Sequence, residues 1–178
     1  MEQTCETTAV DSPEALTVRR ARPEELAAAG AVVAEAYLVD GHDEESYLPV
    51  LADAASRAED GEVLVAVDSA GQVLGSVTFA APPSPLAELS RPDEAEFRML
   101  GVSPTARGLG VGTALVQACL DRARELGKTG IVISTEPDMH AAHRIYERFG
   151  FVRDAERDWR PLPDVPLLAY RLSFDVRR

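Results

Sequence analysis

The chain has 178 residues, of which 46% are hydrophobic, and a formal net charge of −12. This length and apolar content allow one domain with a sizeable core, whereas the acidic balance argues against a nucleic-acid binder, which needs a basic face. The N-terminus lacks the apolar stretch of a secretory signal, and no apolar run reaches the roughly 20 residues of a membrane helix. We therefore expect a cytoplasmic protein that contacts neither nucleic acid nor membrane.

Cysteine and histidine are too sparse to predict a disulfide or a metal centre. The two cysteines, Cys5 and Cys119, lie in a polar leader and in a helical pattern, which does not favour a structural disulfide. His140 and His143 are three residues apart on one predicted helix, but the sequence shows no third ligand beside them. We expect no metal, and we expect both histidines at the surface or beside a cofactor.

The first half of the chain predicts a strand, two helices and a hairpin. Residues 1–14 are expected to form a disordered leader, and residues 15–178 a single domain. "LTVRRAR" (16–22) alternates as a strand does, and Pro23 with the acids after it starts a helix. A second helix in 43–58 is expected to be interrupted near Pro49. "EVLVAVD" and "QVLGSVTFA" then predict an antiparallel hairpin, followed by a proline-rich acidic loop at 81–94.

The second half alternates strands and helices. "AEFRMLGV" (95–102) predicts a strand, 112–126 a helix that ends at Gly127, "GIVISTE" (130–136) a strand, and 139–149 a helix closed by Gly150. The last strands are predicted in 151–158 and 165–174, with a proline-rich connection, 159–164, between them. The strand–helix–strand order predicts a right-handed crossover and a parallel pair. An α/β (α+β) mixed sheet flanked by helices follows.

A glycine-rich stretch, "TARGLGVGTA" (105–114), lies where the strand passes into the helix. The first N–H groups of a helix are unpaired and carry a partial positive charge, which suits a phosphate. Gly108, Gly110 and Gly112 would let a phosphate approach the backbone, and Arg107 adds a full charge. A tight strand-to-helix turn without a ligand is the alternative, and this stretch alone does not separate the two.

Two common nucleotide motifs fit poorly. The triphosphate loop needs a lysine after its glycines, and none follows here. The dinucleotide pattern G-x-G-x-x-G, counted from Gly108, ends on Thr113 instead of glycine. That motif is followed by an acid near the end of the next strand, and Glu136 lies there. The missing glycine therefore weakens the hypothesis of a nucleotide-binding oxidoreductase without excluding it.

R-x-x-G-x-G, read as Arg107, Gly110 and Gly112, resembles the acyl-CoA pyrophosphate loop of the GNAT superfamily of N-acetyltransferases. "AAHRIYERFGFV" (141–152) adds a second match, a helix with Tyr146 followed by E-[KR]-x-G-F. The resemblance covers residues 95–152 closely and 16–174 more loosely. It implies a GNAT-like, mostly antiparallel central sheet of six to seven strands, splayed at its two central parallel strands.

The resemblance also implies a reaction and a co-substrate. The expected activity is transfer of an acetyl group from acetyl-CoA to a primary amine, small molecule or peptide, by direct attack in a ternary complex. A non-catalytic acyl-CoA-binding domain is the alternative, and a homodimer is frequent among relatives. The backbone of the strand and the glycine loop would bind the cofactor, which assigns Leu100, Val102, Arg107, Gly108, Leu109, Gly110, Val111, Gly112 and Thr113.

Two side chains are candidates for moving protons. Tyr146 fits the acid that protonates the departing sulfur, because a phenol stays protonated at neutral pH; a core tyrosine is the alternative. Glu96 is the leading base, since alternation puts Glu96, Arg98 and Leu100 on one side of the strand before any bulge. A solvated acid paired with Arg98, or a water chain acting as base, is equally compatible, and Glu94 is in reserve.

The chain departs from the family at Met139, where relatives often carry an asparagine that contacts the cofactor arm. Arg144 and Arg148 are candidates for the adenosine 3′-phosphate, although arginines on an exposed helix face are ordinary. Family topology further suggests that Tyr37 and Trp159 line the acceptor pocket.

Overall fold

The computed structural model describes residues 15–42 and 46–174, and within them a mixed sheet carries helices on both faces. The strands are β1 (Thr17–Arg20), β2 (Glu62–Val67), β3 (Val73–Ala80), β4 (Glu94–Val102), β5 (Gly130–Thr135), β6 (Val152–Arg153), β7 (Trp159–Leu162) and β8 (Val165–Ser173). The helices are α1 (Leu26–Val39), α2 (Leu48–Ala52), α3 (Ala54–Asp60), α4 (Val111–Glu125) and α5 (His140–Phe149). None of these helices is both long and apolar enough to cross a membrane. The predicted leader, 1–14, lies outside the described residues.

The strand order is β1-β2-β3-β4-β5-β8-β6, with β7 paired to β8 beside this path. Only β4 and β5 run parallel, so the predicted mixed, mostly antiparallel sheet is confirmed. The described chain forms eight strands instead of six to seven, because the proline-rich 159–164 segment contains β7. Its prolines are tolerated because β7 pairs only with β8, and an edge strand can lack N–H donors on its open side.

The two parallel strands pair only at their beginnings. The register runs from Glu94 opposite Gly130 to Glu96 opposite Val132, after which β4 and β5 diverge. A bulge at Met99, whose φ is +54°, also shifts the pairing of β4 with β3. An extra residue reverses the alternation of side chains, so Leu100 does not share the side of Glu96, as the sequence alternation had suggested.

Strand β2 shows how the core is divided between the two faces of the sheet. Leu64 and Ala66 pack in the cluster that contains the apolar face of α4. Val63 and Val65 point the other way and pack with residues of α1 and α3. The sheet is therefore buried on both faces, with α4 and α5 on one side and α1, α2 and α3 on the other.

The predicted second helix is two short helices, and its first residues, 43–45, lie outside the described ranges. The break falls at Asp53, whose carboxylate accepts from Ser56 N at 3.0 Å and so caps α3. Pro49 lies in the first turn of α2, where its missing N–H costs nothing. The buried Arg57 donates to the carbonyl of Leu51 at 3.0 Å, which helps to satisfy the end of α2.

Candidate active site

A cavity of about 690 Å³ runs from the glycine loop toward the gap between β4 and β5. Its walls are the end of α1, the end of β4, the glycine loop with the start of α4, and α5 with the two residues before it. A small cavity of about 10 Å³ lies inside the gap itself. Tyr37, Leu100 and Met139 line both cavities. The larger cavity is of the size that small-molecule ligands occupy.

The three glycines of the loop serve two different purposes. Gly108 and Gly110 have φ values of +81° and +80°, which side chains rarely adopt. A Cβ at either position would meet nothing within 4 Å, so the backbone conformation alone requires glycine there. At Gly112 a Cβ would lie 3.0 Å from Ile145 Cδ1, so this glycine lets α4 pack against α5.

The start of α4 offers unpaired donors to the large cavity. The first helical hydrogen bond joins Ala114 N to Gly110 O at 2.9 Å. The N–H groups just before it have no intrahelical acceptor, and their residues line the cavity: Val111, Gly112 and Thr113. The side chains of Arg107, Arg144 and Arg148 line it too. Backbone donors, a helix N-terminus and three cations together suit an anion with several phosphates.

All but one of the predicted cofactor-binding residues line the large cavity. The exception is Leu109, whose side chain is 69% exposed beside the loop. Arg107 lies 2.9 Å from Asp40 at the end of α1, and both side chains line the cavity. The loop arginine is therefore paired with a carboxylate at the cavity wall.

Tyr146 lies on α5 with its ring packed against Phe97 and Phe151, and it lines the small cavity. The residue is 4% exposed, and its hydroxyl has no hydrogen-bond partner within the described part of the chain. Burial raises the pKa of the phenol well above its ordinary value. The phenol is thus a protonated donor beside the gap between the diverging strands.

Glu96 is 1% exposed and lines neither cavity. Its carboxylate accepts from Leu89 N at 2.9 Å and from Ser90 N at 3.2 Å, which holds the 81–94 loop on the sheet. Burial raises the pKa of this carboxyl in spite of the two hydrogen bonds. Glu94, the reserve candidate, is paired with Arg157 at 2.6 Å. The structure does not bring Glu96 and Tyr146 together on one cavity.

The other residues singled out in the sequence also differ in whether they line a cavity. Tyr37 lines both cavities, whereas Trp159 lines neither. Met139, at the position of the family asparagine, lines both cavities as well. His140 lines the large cavity, and His143 instead lies with Nε2 3.0 Å from the carbonyl oxygen of Glu136.

His42 belongs to none of the sequence motifs described above, and the structure places it at the wall of the large cavity. Its Nδ1 lies 3.0 Å from a carboxylate oxygen of Glu136, and its Nε2 lies 3.9 Å from Asp138. One imidazole nitrogen of His42 and one carboxylate oxygen each of Glu136 and Asp138 lie within 4.8 Å of one another. Only a glycine at the end of a helical pattern, Gly41, hinted that the chain turns back here.

Comparison with known proteins agrees with this geometry. The model of the Acetyltransferase (GNAT) family matches residues 28–151. A mycothiol acetyltransferase from Pseudarthrobacter chlorophenolicus is 32% identical over 135 residues, which cover 65% of this chain and 41% of that protein. The chain thus spans less than half the length of the mycothiol acetyltransferases that it matches.

Solved structures share the fold across nearly the whole chain. A GCN5-related N-acetyltransferase from Kribbella flavida has a TM-score of 0.67 at 27% identity, covering 92% of this chain and 100% of its own. A GNAT acetyltransferase from Brucella melitensis, solved in complex with acetyl-CoA, has a TM-score of 0.63 at 22% identity, covering 91% of this chain and 90% of its own. The family match, together with the splayed strands and the glycine loop at the start of α4, shows that this chain belongs to the GNAT acetyltransferase family.

Proposed function

We propose that the protein is an acetyl-CoA-dependent N-acetyltransferase that acetylates a primary amine by direct attack within a ternary complex. The observation that carries this proposal is the arrangement of two neighbouring cavities, which share Tyr37, Leu100 and Met139 in their walls. The large cavity contains the phosphate-suited start of α4, and the small one is lined by the buried Tyr146 in the gap between β4 and β5. Acyl transfer from a thioester needs two things: a site that binds and orients the cofactor, and a proton donor near the thioester sulfur.

The cofactor is held by groups that the chain already presents. The free N–H groups of the first turn of α4, with Arg107, bind the pyrophosphate, and Arg144 and Arg148 on α5 approach the 3′-phosphate. The backbone of Leu100 and Val102 borders the gap in which the pantetheine arm extends. The Brucella melitensis relative, solved with acetyl-CoA, supports this choice of ligand.

Tyr146 has the properties required of the acid. When the amine nitrogen forms its bond to the thioester carbonyl carbon, the carbon–sulfur bond breaks and its electron pair stays on sulfur. The phenol hydrogen of Tyr146 then passes to that sulfur. Because burial raises the pKa of Tyr146, the phenol keeps its proton until the thiolate forms. The hydroxyl is also not engaged by another described group, which favours an enzyme over a purely acyl-CoA-binding domain.

The acceptor is proposed to be a cationic amine. Asp40 and Asp138 line the large cavity, Glu136 lies beside it, and the whole chain carries a net charge of −12. Such a field attracts ammonium groups. The name of the mycothiol acetyltransferase relatives favours a small-molecule acceptor, and a peptide amine is the competing acceptor in the experiment.

Two measurements test this function. Acetyl-CoA should raise the melting temperature more than NAD or ATP does, because only a ligand that binds the folded state stabilises it. Release of free CoA thiol should then be followed with spermidine, an aminoglycoside, an amino-acid amide and a lysine-containing peptide. No thermal shift with acetyl-CoA would refute the proposal, and a shift without thiol release from any amine would leave a binding domain.

A further inference from the structure

We propose that His42 is the proton acceptor of this reaction and that Glu136 is the carboxylate that positions it; the inference rests on the acetyl transfer proposed above. His42 is the described histidine whose ring contacts a carboxylate while it lines the large cavity. An imidazole held by a carboxylate on one nitrogen can take a proton on the other, which is the arrangement of many general bases.

The end of α1 fixes the position of His42. Gly41 has a φ of +88°, and its N–H bonds to Leu38 O at 3.1 Å. His42 N bonds back to Tyr37 O at 2.9 Å, which completes a helix-terminating Schellman turn. The turn folds the imidazole back against the ring of Tyr37, with ring centroids 5.9 Å apart. Tyr37 also lines the small cavity with Tyr146, so His42 contacts a residue of the cavity that the proposed acid lines.

The backbone of Glu136 is fixed as firmly. Its carbonyl oxygen lies 3.2 Å from Met139 N and 3.0 Å from Nε2 of His143. The glutamate is 9% exposed and His42 is 5% exposed, so solvent screens their interaction weakly. A neutral imidazole that donates from Nδ1 to Glu136 keeps the lone pair of Nε2, and that nitrogen is on the side of Asp138, which lines the cavity.

The charged groups that face the imidazole come from two parts of the chain. Glu136 and Asp138 face it from the connection between β5 and α5, and Tyr37 and Asp40 reach it or its cavity from α1. Arg107, a cation that lines the same cavity, is paired with Asp40 at 2.9 Å. An imidazolium therefore forms next to carboxylates, which stabilise the positive charge.

The proton balance of the step is complete. A proton of the acceptor ammonium passes to Nε2 of His42, directly or through one water, and leaves a lone pair on the amine nitrogen. That nitrogen bonds to the thioester carbon, the carbon–sulfur bond breaks, and Tyr146 protonates the sulfur, while the nitrogen releases its second proton to solvent and becomes the amide nitrogen. His42 returns its proton to solvent after the products leave, and solvent reprotonates Tyr146. Glu96, the base suggested by the sequence, has its carboxylate turned to two loop amides away from both cavities.

The test compares His42→Gln and Glu136→Gln with Glu35→Gln, which removes the same charge as Glu136→Gln from the exposed side of α1. Values of kcat and KM are measured from pH 5 to 9 with the most active amine of the panel. We expect His42→Gln to lower kcat by about 10²- to 10⁴-fold and to abolish the acidic limb of the pH profile. Glu136→Gln should lower kcat less and move that limb to lower pH, because the imidazolium loses its countercharge.

Several outcomes would overturn the assignment. Wild-type protein that binds acetyl-CoA but releases no thiol with any amine refutes the proposed function itself. If His42→Gln and Glu136→Gln turn over as fast as the wild-type protein and the acidic limb of their pH profiles is unchanged, only the role of His42 is refuted. If the His42 variants do not fold, the pH profile of Glu136→Gln still tests the proposal: an acidic limb at lower pH supports the role of His42, and an unchanged limb refutes it.

Two further measurements separate a base from a structural or metal-binding histidine. Added imidazole should partly restore turnover to His42→Ala, whose vacated space opens on the cavity, and a purely structural histidine would not be rescued in this way. EDTA should leave the wild-type rate unchanged. Loss of activity with EDTA and its recovery with Zn²⁺ would assign His42, Glu136 and Asp138 to a metal and overturn the base.

Discussion

The guanidinium of Arg107 lies 2.9 Å from the carboxylate of Asp40, and the pair joins the glycine loop to the end of α1. Both side chains line the large cavity and both are about two-fifths exposed. The arginine that would meet the pyrophosphate is therefore shared with a carboxylate. Asp40 either competes with the phosphates or holds Arg107 in place for them, and the affinity of an Asp40 variant distinguishes these roles.

We expect Asp40→Asn to bind acetyl-CoA about 1.5- to 5-fold more tightly at low salt, because an exposed ion pair no longer competes for Arg107. The gain should shrink in 0.5 M NaCl, where exposed charges are screened. Calorimetric titration at low and high salt measures both effects, and Asp121→Asn, on the exposed part of α4, is the matched control. Weaker binding by Asp40→Asn would instead show that Asp40 orients the arginine.

Gly110→Ala and Gly71→Ala form a matched pair, since their φ values are +80° and +81° and neither Cβ would meet an atom within 4 Å. Each substitution should lower the free energy of unfolding by about 1–2 kcal/mol, the cost of a left-handed side chain. Only Gly110→Ala should weaken acetyl-CoA binding, because Gly71 lies in the β2–β3 turn. Chemical denaturation measures the free energy of unfolding, and calorimetry measures the affinity for acetyl-CoA. Equal affinities of Gly110→Ala and Gly71→Ala would argue against the loop as the pyrophosphate site.

Tyr146→Phe should lower kcat by about 10²- to 10⁴-fold, because the departing thiolate loses its proton donor. Affinity for acetyl-CoA and the melting temperature should change little, since the hydroxyl has no described hydrogen-bond partner to lose. Tyr170→Phe is the control: that ring is 8% exposed, stacks near His143 and lines neither cavity. Normal turnover in Tyr146→Phe would remove this residue from the mechanism.

The Glu96 carboxylate should act mainly as an anchor for the 81–94 loop, through the amides of Leu89 and Ser90. We expect Glu96→Gln to raise the KM for the amine more than it lowers kcat. Glu96→Ala should also destabilise the fold by about 1–3 kcal/mol, because buried amides lose their acceptor. Steady-state kinetics with both variants decides the point; a large fall in kcat at constant KM would support Glu96 as the base.

The buried pair of Glu94 and Arg157 makes stability depend on pH. Burial raises the pKa of Glu94, but hydrogen bonds from Arg157 and from the N–H of Arg91 outweigh it, and the pKa lies below the ordinary value of 4.5. Such a depressed acid stabilises the folded state above pH 4.5, and the contribution is lost as the pH falls through the folded pKa.

Glu94→Gln should therefore cost about 1–3 kcal/mol at pH 7, because it removes one of the two carboxylates that pair with Arg157, the other being Asp154. The difference from wild type should narrow as the pH is lowered below 4.5. Urea denaturation across this range measures it, and Glu125→Gln, which breaks an exposed pair with Arg122, should change stability little at any pH. A pH-independent difference would contradict the ionic account.

The local motifs were predictable because their residues are close in sequence. The φ values of Gly108 and Gly110 and the position of Tyr146 on a helix follow from short-range backbone chemistry. The predicted parallel pair on either side of α4 is confirmed for β4 and β5. Family membership was predicted from these same stretches and is confirmed by the match over residues 28–151.

Other features depended on partners that no period or spacing reveals. The amides that occupy Glu96 come from an irregular loop, and the bulge at Met99 depends on how β4 pairs with β3. Strand β7 was missed because Pro161 argues against a strand, although an edge position accommodates a proline.

The glycine loop and the helix that carries Tyr146 could be predicted from the chain alone, because short stretches of neighbouring residues specify them. The contacts of Glu96 with loop amides and of His42 with Glu136 became visible only in the folded molecule. These partners are distant in the chain, and packing across the sheet brings them together. His42 follows α1 and Glu136 follows β5, and the two residues come into contact only in the folded molecule.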